Sequence, residues 1–278
     1  MDYKIVADSS CDLTDEMEKE LGVSLVPFKI DIDDKSFIDD KNLDIVEFIK
    51  TMKASPNPIR TSCPSPGDFV EEYKKADNIF VVTISAALSG TYNSAILAKD
   101  MILEEFPDKF VHVFNSKGAS VTETLTALKI DELISEKLSS LEIVEKVEKY
   151  IQEMKTYFIS ESLDNLIKNG RISKTKGLIA NVLNLKPLMG ATDDGEIALV
   201  ENHRGSNKAF KRLVQIIGES KLNLEDRILA ISHADALDRA TQLKTEIEEL
   251  YNFKEVIVVE TKGLSTAYVN HKGIILAF

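Results

Sequence analysis

The chain has 278 residues, 44% of them hydrophobic, which is enough for one large or two smaller α/β domains. Its formal net charge of −12 argues against nucleic acid or an anionic membrane surface as the main partner, because both bind to basic surface patches. No apolar run approaches the roughly 20 residues that cross a bilayer. The N-terminus shows a strand pattern and no signal-peptide pattern, so the sequence predicts a soluble cytoplasmic protein.

The first half of the chain alternates apolar strands with helical patterns. The patterns predict a strand from Tyr3 to Ala7, an extended stretch from Val23 to Ile32, and strands from Ile79 to Ile84 and from Phe110 to Phe114. Helices are predicted at 12–21, 43–53, 65–73, from Ser89 to about Phe106, and over roughly 117–138 and 141–154. Such alternation predicts a parallel sheet that is covered on both faces.

The second half has a different pattern. A helical turn is predicted from Ser162 to Lys168, and Asp193-Asp194-Gly195-Glu196 predicts a hairpin between apolar arms. Helices at 206–217 and 237–251, strands at 228–232 and 256–260, and a last apolar run complete the chain. We therefore predict a two-lobed α/β fold, with a parallel-sheet domain over residues 1–155 and a mixed α/β domain over residues 156–278.

Three loops that follow strands of the first half are rich in hydroxyl groups. They are Asp8-Ser9-Ser10, Arg60 to Ser65, and Ser85 to Thr91. Loops after parallel strands meet at the carboxyl edge of the sheet, and the free N–H groups of a helix that begins near Ser89 attract an anion. The crevice could thus hold a carboxylate or a phosphate, although a helix cap or turn is the ordinary role of each such loop.

Signatures of common catalytic, nucleotide-binding and metal sites are absent from the sequence. The four histidines lack metal-ligand spacing, and the two cysteines, Cys11 and Cys63, form neither a disulfide framework nor a zinc pattern. We expect no catalytic residue, no metal and no cofactor. The alternative is an enzyme acting on a phosphorylated or carboxylated metabolite in the same crevice, with Asp8 or Asp12 as general acid or base. A protein-interaction module, the third option, would lack an apolar tunnel.

Several blocks of the sequence, taken together, resemble a known family. They occur in the expected order over essentially the whole chain, at residues 8–13, 61–69, 88–95, 162–166 with 170–173, 185–189, 204–209 and 232–235. The blocks resemble the DegV family of bacterial fatty-acid-binding proteins. This resemblance implies a two-domain α/β fold with a long-chain fatty acid bound between the lobes.

The resemblance also implies roles for individual residues. The hydroxyls of Thr61 and Ser89 would hold the ligand carboxylate, with the backbone amide of Gly90 beside them. Tyr268 falls where the family often has a histidine, and its hydroxyl can donate the same hydrogen bond. Further candidates for the ligand site are Ser62, Ser9 and His271.

A partner is implied in the same way. In family members that act as acyl carriers, a separate fatty acid kinase subunit phosphorylates the bound carboxylate, and an arginine corresponding to Arg204 is linked to this step. The chain itself would be a lipid-binding protein without catalysis. Transient membrane contact would serve lipid exchange. For a ligand of about C14–C18, roughly 15 methylenes at about 0.8 kcal/mol each would contribute on the order of 10 kcal/mol when buried.

Apolar residues at helical spacing in the second half are predicted to line the acyl tunnel, although ordinary core packing explains each of them equally well. These residues are Leu163, Leu166, Ile167, Leu178, Ile179, Val182 and Leu183.

Overall fold

The computed structural model describes residues 3–172 and 185–278. Strands in these ranges are β1 (Tyr3–Asp8), β2 (Ser24–Val26), β3 (Lys29–Ile32), β4 (Lys35–Ile38), β5 (Arg60–Ser62), β6 (Asn78–Thr83), β7 (Phe110–Asn115), β8 (Thr156–Ile159), β9 (Leu185–Ala191), β10 (Ile197–Arg204), β11 (Ile228–His233), β12 (Glu255–Glu260) and β13 (Ile274–Ala277). Helices there are α1 (Asp15–Leu21), α2 (Ile45–Ala54), α3 (Pro66–Tyr73), α4 (Thr91–Glu105), α5 (Val121–Ser135), α6 (Ser140–Glu153), α7 (Asp164–Lys168), α8 (Ser206–Ile217), α9 (Leu237–Leu250) and α10 (Gly263–Val269).

The first lobe is built on a four-stranded sheet with the order β2-β1-β6-β7, and all of its pairings are parallel. One face packs against α3 and α4 through residues such as Phe69 and Ile102. The other face packs against α5 and α6 through residues such as Ile130 and Val147. The predicted parallel sheet with helices on both faces is therefore confirmed.

The second lobe is built on a six-stranded mixed sheet with the order β10-β9-β8-β13-β11-β12. Among its pairings, only β11 with β12 is parallel. One face packs against α8 and α9, with Leu213 and Leu243 in the shared core. The opposite face, which carries Phe158 and Ile275, packs toward α5 of the first lobe. The mixed second sheet is confirmed, while the domain division at residue 155 stays a prediction.

A third, smaller sheet joins the two lobes, and the sequence did not predict it. Its three strands pair antiparallel in the order β4-β3-β5, and Thr61 lies opposite Ile30. The segment Arg60 to Ser65 was expected to be a loop, but its first three residues form β5. The sheet shares an apolar core with α2 and α10, which includes Phe28, Phe48 and Leu264. This packing brings β5 and α10 together.

Element bounds differ from the predicted ones where turns precede the helices. Helix α4 begins at Thr91 with Gly90 as its N-cap, rather than near Ser89, and α5 begins only at Val121. The hairpin at Asp193 to Glu196 is confirmed between β9 and β10, with Gly195 at φ +79°. Across the described ranges, none of the helices combines the length and apolarity that a bilayer crossing requires.

Candidate ligand-binding site

A cavity lies between the loops of the first lobe and the six-stranded sheet of the second. Its empty volume, including the open mouth, is about 840 Å³. Most of the wall is apolar and comes from both lobes: Phe28, Ile84, Leu88, Ala119, Phe158, Leu166, Ala191, Ile197, Leu264, Val269 and Ile275. The predominantly apolar wall favours an apolar ligand.

Thr61 and Tyr268 both line this cavity, and they contact each other. The Thr61 Oγ1 lies 2.9 Å from the Tyr268 hydroxyl oxygen, within hydrogen-bond distance. Thr61 is fixed in β5 by its pairing with Ile30, whereas Tyr268 is carried by α10. Two hydroxyl groups from distant parts of the sequence therefore meet at the cavity wall.

Ser89 lines the cavity at the turn before α4. Its Oγ lies 2.8 Å from the Thr91 Oγ1 and accepts a hydrogen bond of 3.3 Å from the Thr91 backbone N–H. Gly90, the N-cap residue of α4, is exposed and does not belong to the cavity wall. A Ser89 hydroxyl beside the first turn of a helix can hydrogen-bond to an anion where the helix dipole also favours negative charge.

Arg171 carries the one charged side chain among the described residues of the cavity wall, and the sequence analysis did not select it. Its Nε donates to the Leu88 backbone carbonyl at 3.1 Å, and its Nη1 donates to the Asn169 carbonyl at 2.6 Å. The first bond ties Arg171 to the residue before Ser89. A cation therefore accompanies the uncharged donors that the sequence analysis expected. In the sequence, Arg171 belongs to the block at residues 170–173, and this membership was the signal that could have identified it as a site residue.

Four other predicted residues lie outside the cavity wall. Ser9 is fully buried, donates to the Asp39 carboxylate at 2.8 Å and accepts from the Phe28 N–H at 3.0 Å. The His271 Nε2 is engaged 2.7 Å from the Asp235 carboxylate. Ser62 and Arg204 are exposed, at the ends of β5 and β10 respectively. The structure thus brings Thr61, Ser89 and Tyr268 to one cavity, but not these four.

Asp8 and Asp12, the general acid or base of the enzyme alternative, are completely buried and do not line the cavity. The Asp8 carboxylate accepts from the backbone N–H groups of Ser10 and Ile84, each at 2.9 Å. The Asp12 carboxylate accepts from the Lys262 N–H at 2.6 Å and from the Ser120 hydroxyl. Burial raises the pKa of each carboxyl to about 7. Their oxygens are used to hold loops together.

Glu123 adds a third buried carboxyl group to this region. It is fully buried in α5, and within the described ranges neither of its carboxyl oxygens meets a hydrogen-bond partner. Burial, and then the charge of the nearby Asp8, raise the pKa of Glu123 well above its usual range. Burial therefore favours the protonated, neutral form of Glu123 over the charged form.

The seven residues that were predicted to line the acyl tunnel fall into three groups. Leu166 lines the cavity. Leu163 and Ile167 pack in the same apolar cluster as Phe158 without reaching the cavity wall. The remaining four, Leu178, Ile179, Val182 and Leu183, lie outside the described residues.

An apolar cavity between two α/β lobes, with a few polar groups on its wall, is typical of a protein that binds an amphipathic small molecule. Comparison of the sequence with known families identifies the class of protein more narrowly. The chain belongs to the DegV family, whose family model matches residues 2–277. A DegV domain-containing protein of Streptococcus pneumoniae is 33% identical over 284 residues, covering 100% of this chain and 99% of that protein.

Solved structures of similar proteins contain fatty acids. A DegV family protein of Ruminococcus gnavus, refined with vaccenic acid, is 41% identical with a TM-score of 0.96 and covers 99% of both chains. A DegV family protein of Eubacterium eligens, loaded with heptadecanoic acid, is 30% identical with a TM-score of 0.92, over 99% of this chain and 98% of that one. The Fatty Acid Kinase (Fak) B3 protein of Streptococcus pneumoniae, loaded with linoleic acid, is 32% identical with a TM-score of 0.90, over 100% of this chain and 99% of that one.

Proposed function

We propose that this protein binds a long-chain fatty acid in the cavity between its lobes and presents the carboxyl group to a separate fatty acid kinase. The observation that carries the proposal is the cavity itself, whose wall, as far as residues 3–172 and 185–278 form it, is apolar except for a few hydroxyl groups and one guanidinium group. An amphipathic ligand with a long hydrocarbon chain and one anionic head group matches that composition. Vaccenic, heptadecanoic and linoleic acids in the similar structures belong to this class.

The carboxylate is proposed to contact Thr61, Ser89 and Tyr268. Support comes from their shared cavity wall and from the hydrogen bond between Thr61 and Tyr268, which a carboxylate oxygen could join as an acceptor. The Arg171 guanidinium would add a favourable charge from the same wall. The Gly90 N–H would add a hydrogen bond to the carboxylate only from the start of α4, because Gly90 lies outside the cavity wall.

The acyl chain is proposed to lie along the sheet face that carries Phe158 and Ile275. These side chains line the cavity on neighbouring strands, because Phe158 pairs with Ile275 in the β8–β13 ladder. Burying a chain of about C14–C18 would then supply most of the affinity, at about 0.8 kcal/mol per methylene. The hydroxyl groups would mainly fix the position of the head group.

Phosphorylation of the bound acid is proposed to occur in a complex with the partner kinase. The similarity to the Fak B3 protein supports this step, and Arg204 is available for it because its side chain is exposed at the end of β10. The Asp8 and Asp12 carboxylates are buried, hydrogen-bonded to backbone N–H groups and not part of the cavity wall, which leaves the enzyme alternative without its general acid or base.

Native mass spectrometry of the purified protein tests the binding proposal. We expect a fraction with the added mass of one fatty acid, and stoichiometric binding of vaccenic acid after the bound lipid is removed. An empty protein that binds neither vaccenic nor heptadecanoic acid would refute the proposal. Turnover of phosphoesters by the same sample would instead favour the enzyme alternative.

A further inference from the structure

Helix α10 carries much of the cavity wall although it is too short to hold its own position. Its seven residues include Leu264, Ser265, Tyr268 and Val269, all of which line the cavity. Two turns of helix are marginal in isolation, and the N-cap residue, Lys262, provides no side-chain cap. The position of α10 must therefore be set by groups outside the helix.

Two buried carboxylates of the first lobe accept the backbone N–H groups at the start of α10. The Gly263 N–H donates to the Asp39 Oδ1 at 2.7 Å, and the Leu264 N–H donates to the Asp39 Oδ2 at 2.9 Å. The preceding Lys262 N–H donates to the Asp12 carboxylate at 2.6 Å. Hydrogen bonds from a helix N-terminus to a carboxylate are strengthened by the charge and by the helix dipole.

Asp39 is itself held in place by hydrogen bonds, so it can fix the position of α10. It is 2% exposed, and its Oδ2 also accepts the Ser9 hydroxyl at 2.8 Å. Its backbone N–H donates to the carbonyl of Phe28 at 2.9 Å, and Phe28 lines the cavity. Asp39 therefore connects the small sheet, the Ser9 loop and α10 at one point.

Only glycine fits at position 263 without a shift of the neighbouring side chains. A Cβ added to Gly263 would lie 2.6 Å from the Leu43 Cδ2 and 2.7 Å from the Asp39 Oδ1. Tyr268 follows five residues later, about 7.5 Å along a helix axis. A shift at the start of this short helix would move the Tyr268 hydroxyl away from Thr61.

We infer that Asp39 is a positioning residue for the ligand head group, acting through the placement of Tyr268 by α10. This inference rests on the proposed binding of a fatty acid in the cavity. It assigns Asp39 a role in affinity although its carboxylate lies outside the cavity wall.

A double-mutant cycle with vaccenic acid tests the inference. We expect Asp39→Asn to weaken vaccenic acid binding at least tenfold, because an amide cannot accept all three donors. Tyr268→Phe should weaken binding in the wild-type background, but by less than twofold once Asp39 is replaced. A merely structural role for Asp39 predicts instead that Tyr268→Phe has the same effect in both backgrounds, and that result would overturn the inference.

Two further variants keep the test decisive. Gly263→Ala leaves both carboxylates in place but pushes a Cβ against Asp39, so it should reproduce the loss of affinity and the loss of coupling if Asp39→Asn does not fold. Glu142→Gln is the control, since Glu142 accepts the Ser139 N–H at 2.9 Å at the start of α6, away from the cavity. This variant should bind vaccenic acid with an affinity within twofold of the wild-type protein.

Failure of the wild-type protein to bind vaccenic acid would refute the proposed function, whereas unchanged binding by both Asp39→Asn and Gly263→Ala refutes only the role of Asp39.

Discussion

The hydroxyl groups of Thr61 and Tyr268 lie 2.9 Å apart although 207 positions separate them in the sequence. The contact joins β5 to α10, so it depends on the small sheet and on the docking of α10 against the first lobe. Because one of these hydroxyls donates to the other, the second keeps its proton free to donate to a carboxylate oxygen in the cavity. This relationship makes the head-group site sensitive to single hydroxyl deletions.

Replacing either cavity hydroxyl should weaken fatty-acid binding. Thr61→Val and Ser89→Ala each remove one donor to a charged group, which corresponds to a loss of roughly 1.5–3 kcal/mol in binding free energy. Titration calorimetry with vaccenic acid measures the change. Ser62→Ala is the matched control, because Ser62 is the exposed neighbour of Thr61 in β5 and should bind normally. Unchanged affinity in both cavity variants would contradict the proposed head-group site.

The Arg171 guanidinium should distinguish a fatty acid from its uncharged ester. We expect Arg171→Met to weaken vaccenic acid binding by about 1.5–3 kcal/mol, because a charge-assisted interaction is lost. The affinity for methyl vaccenate should change much less. Lys168→Met removes the same charge from an exposed position three residues away and serves as the control. Equal losses for acid and ester would show that Arg171 contributes through packing alone.

Elements defined by local patterns were predicted well from the sequence. Helix α8 has the predicted bounds, Ser206–Ile217, because an apolar stripe with Leu213 and Ile217 repeats at helical spacing. The hairpin between β9 and β10 was also predicted, since Gly195 supplies the left-handed backbone that the turn requires. The mixed second sheet follows from the same local information combined with the order of the elements.

Features that depend on contacts between distant segments were not predicted. Strand β5 has three residues, and only its pairing with β3 makes it a strand. Arg171 is held at the cavity by its hydrogen bond to the Leu88 carbonyl, 83 residues away. Glu123 and Asp39 look like surface residues in the sequence, because acidic side chains are seldom buried. The groups that surround them come from other elements, so no local spacing could indicate their burial.

Gly195 should be essential for seating the β9–β10 hairpin on the first lobe. A Cβ there would lie 2.3 Å from the Ser85 Oγ, which now donates to the Gly195 carbonyl at 2.8 Å. Gly195→Ala combines this collision with a positive φ, so we expect a loss of roughly 2–4 kcal/mol in the free energy of unfolding. Gly22→Ala shares the positive φ but meets nothing within 4 Å, and urea denaturation should show a smaller loss for it. Equal losses would mean that backbone strain alone accounts for both.

The buried carboxyl groups should make the protein less stable as the pH rises. Burial raises the pKa of Asp8 to about 7 and that of Glu123 well above its usual range, whereas unfolded carboxyls titrate near 4. The folded state therefore holds more protons than the unfolded state above about pH 4, so the stabilising contribution is complete below that pH. It is lost as the pH rises through 7, and the free energy of unfolding should fall from pH 5 to pH 8.

Glu123→Gln tests which group causes this fall. The variant has an uncharged side chain of nearly the same shape, so its free energy of unfolding should fall less steeply between pH 5 and pH 8 than that of the wild-type protein. Urea denaturation at several pH values measures the slope. Glu132→Gln on the same helix is the control, because hydrogen bonds from Lys129 and Lys254 keep the pKa of Glu132 low and the group stays ionised over this range. A wild-type slope in Glu123→Gln would exclude Glu123 as the cause.

Arg204 should separate acyl binding from phosphorylation. Its side chain is exposed at the end of β10 and does not line the cavity, so Arg204→Ala should bind vaccenic acid within twofold of the wild-type protein. Acyl-phosphate formation by a partner fatty acid kinase should fall about tenfold or more, since a charge-assisted contact is worth roughly 1.5–3 kcal/mol. Lys208→Ala removes a neighbouring exposed charge from α8 and should retain both activities. A parallel loss of binding and phosphorylation in Arg204→Ala would place this residue in the ligand site rather than at the kinase contact.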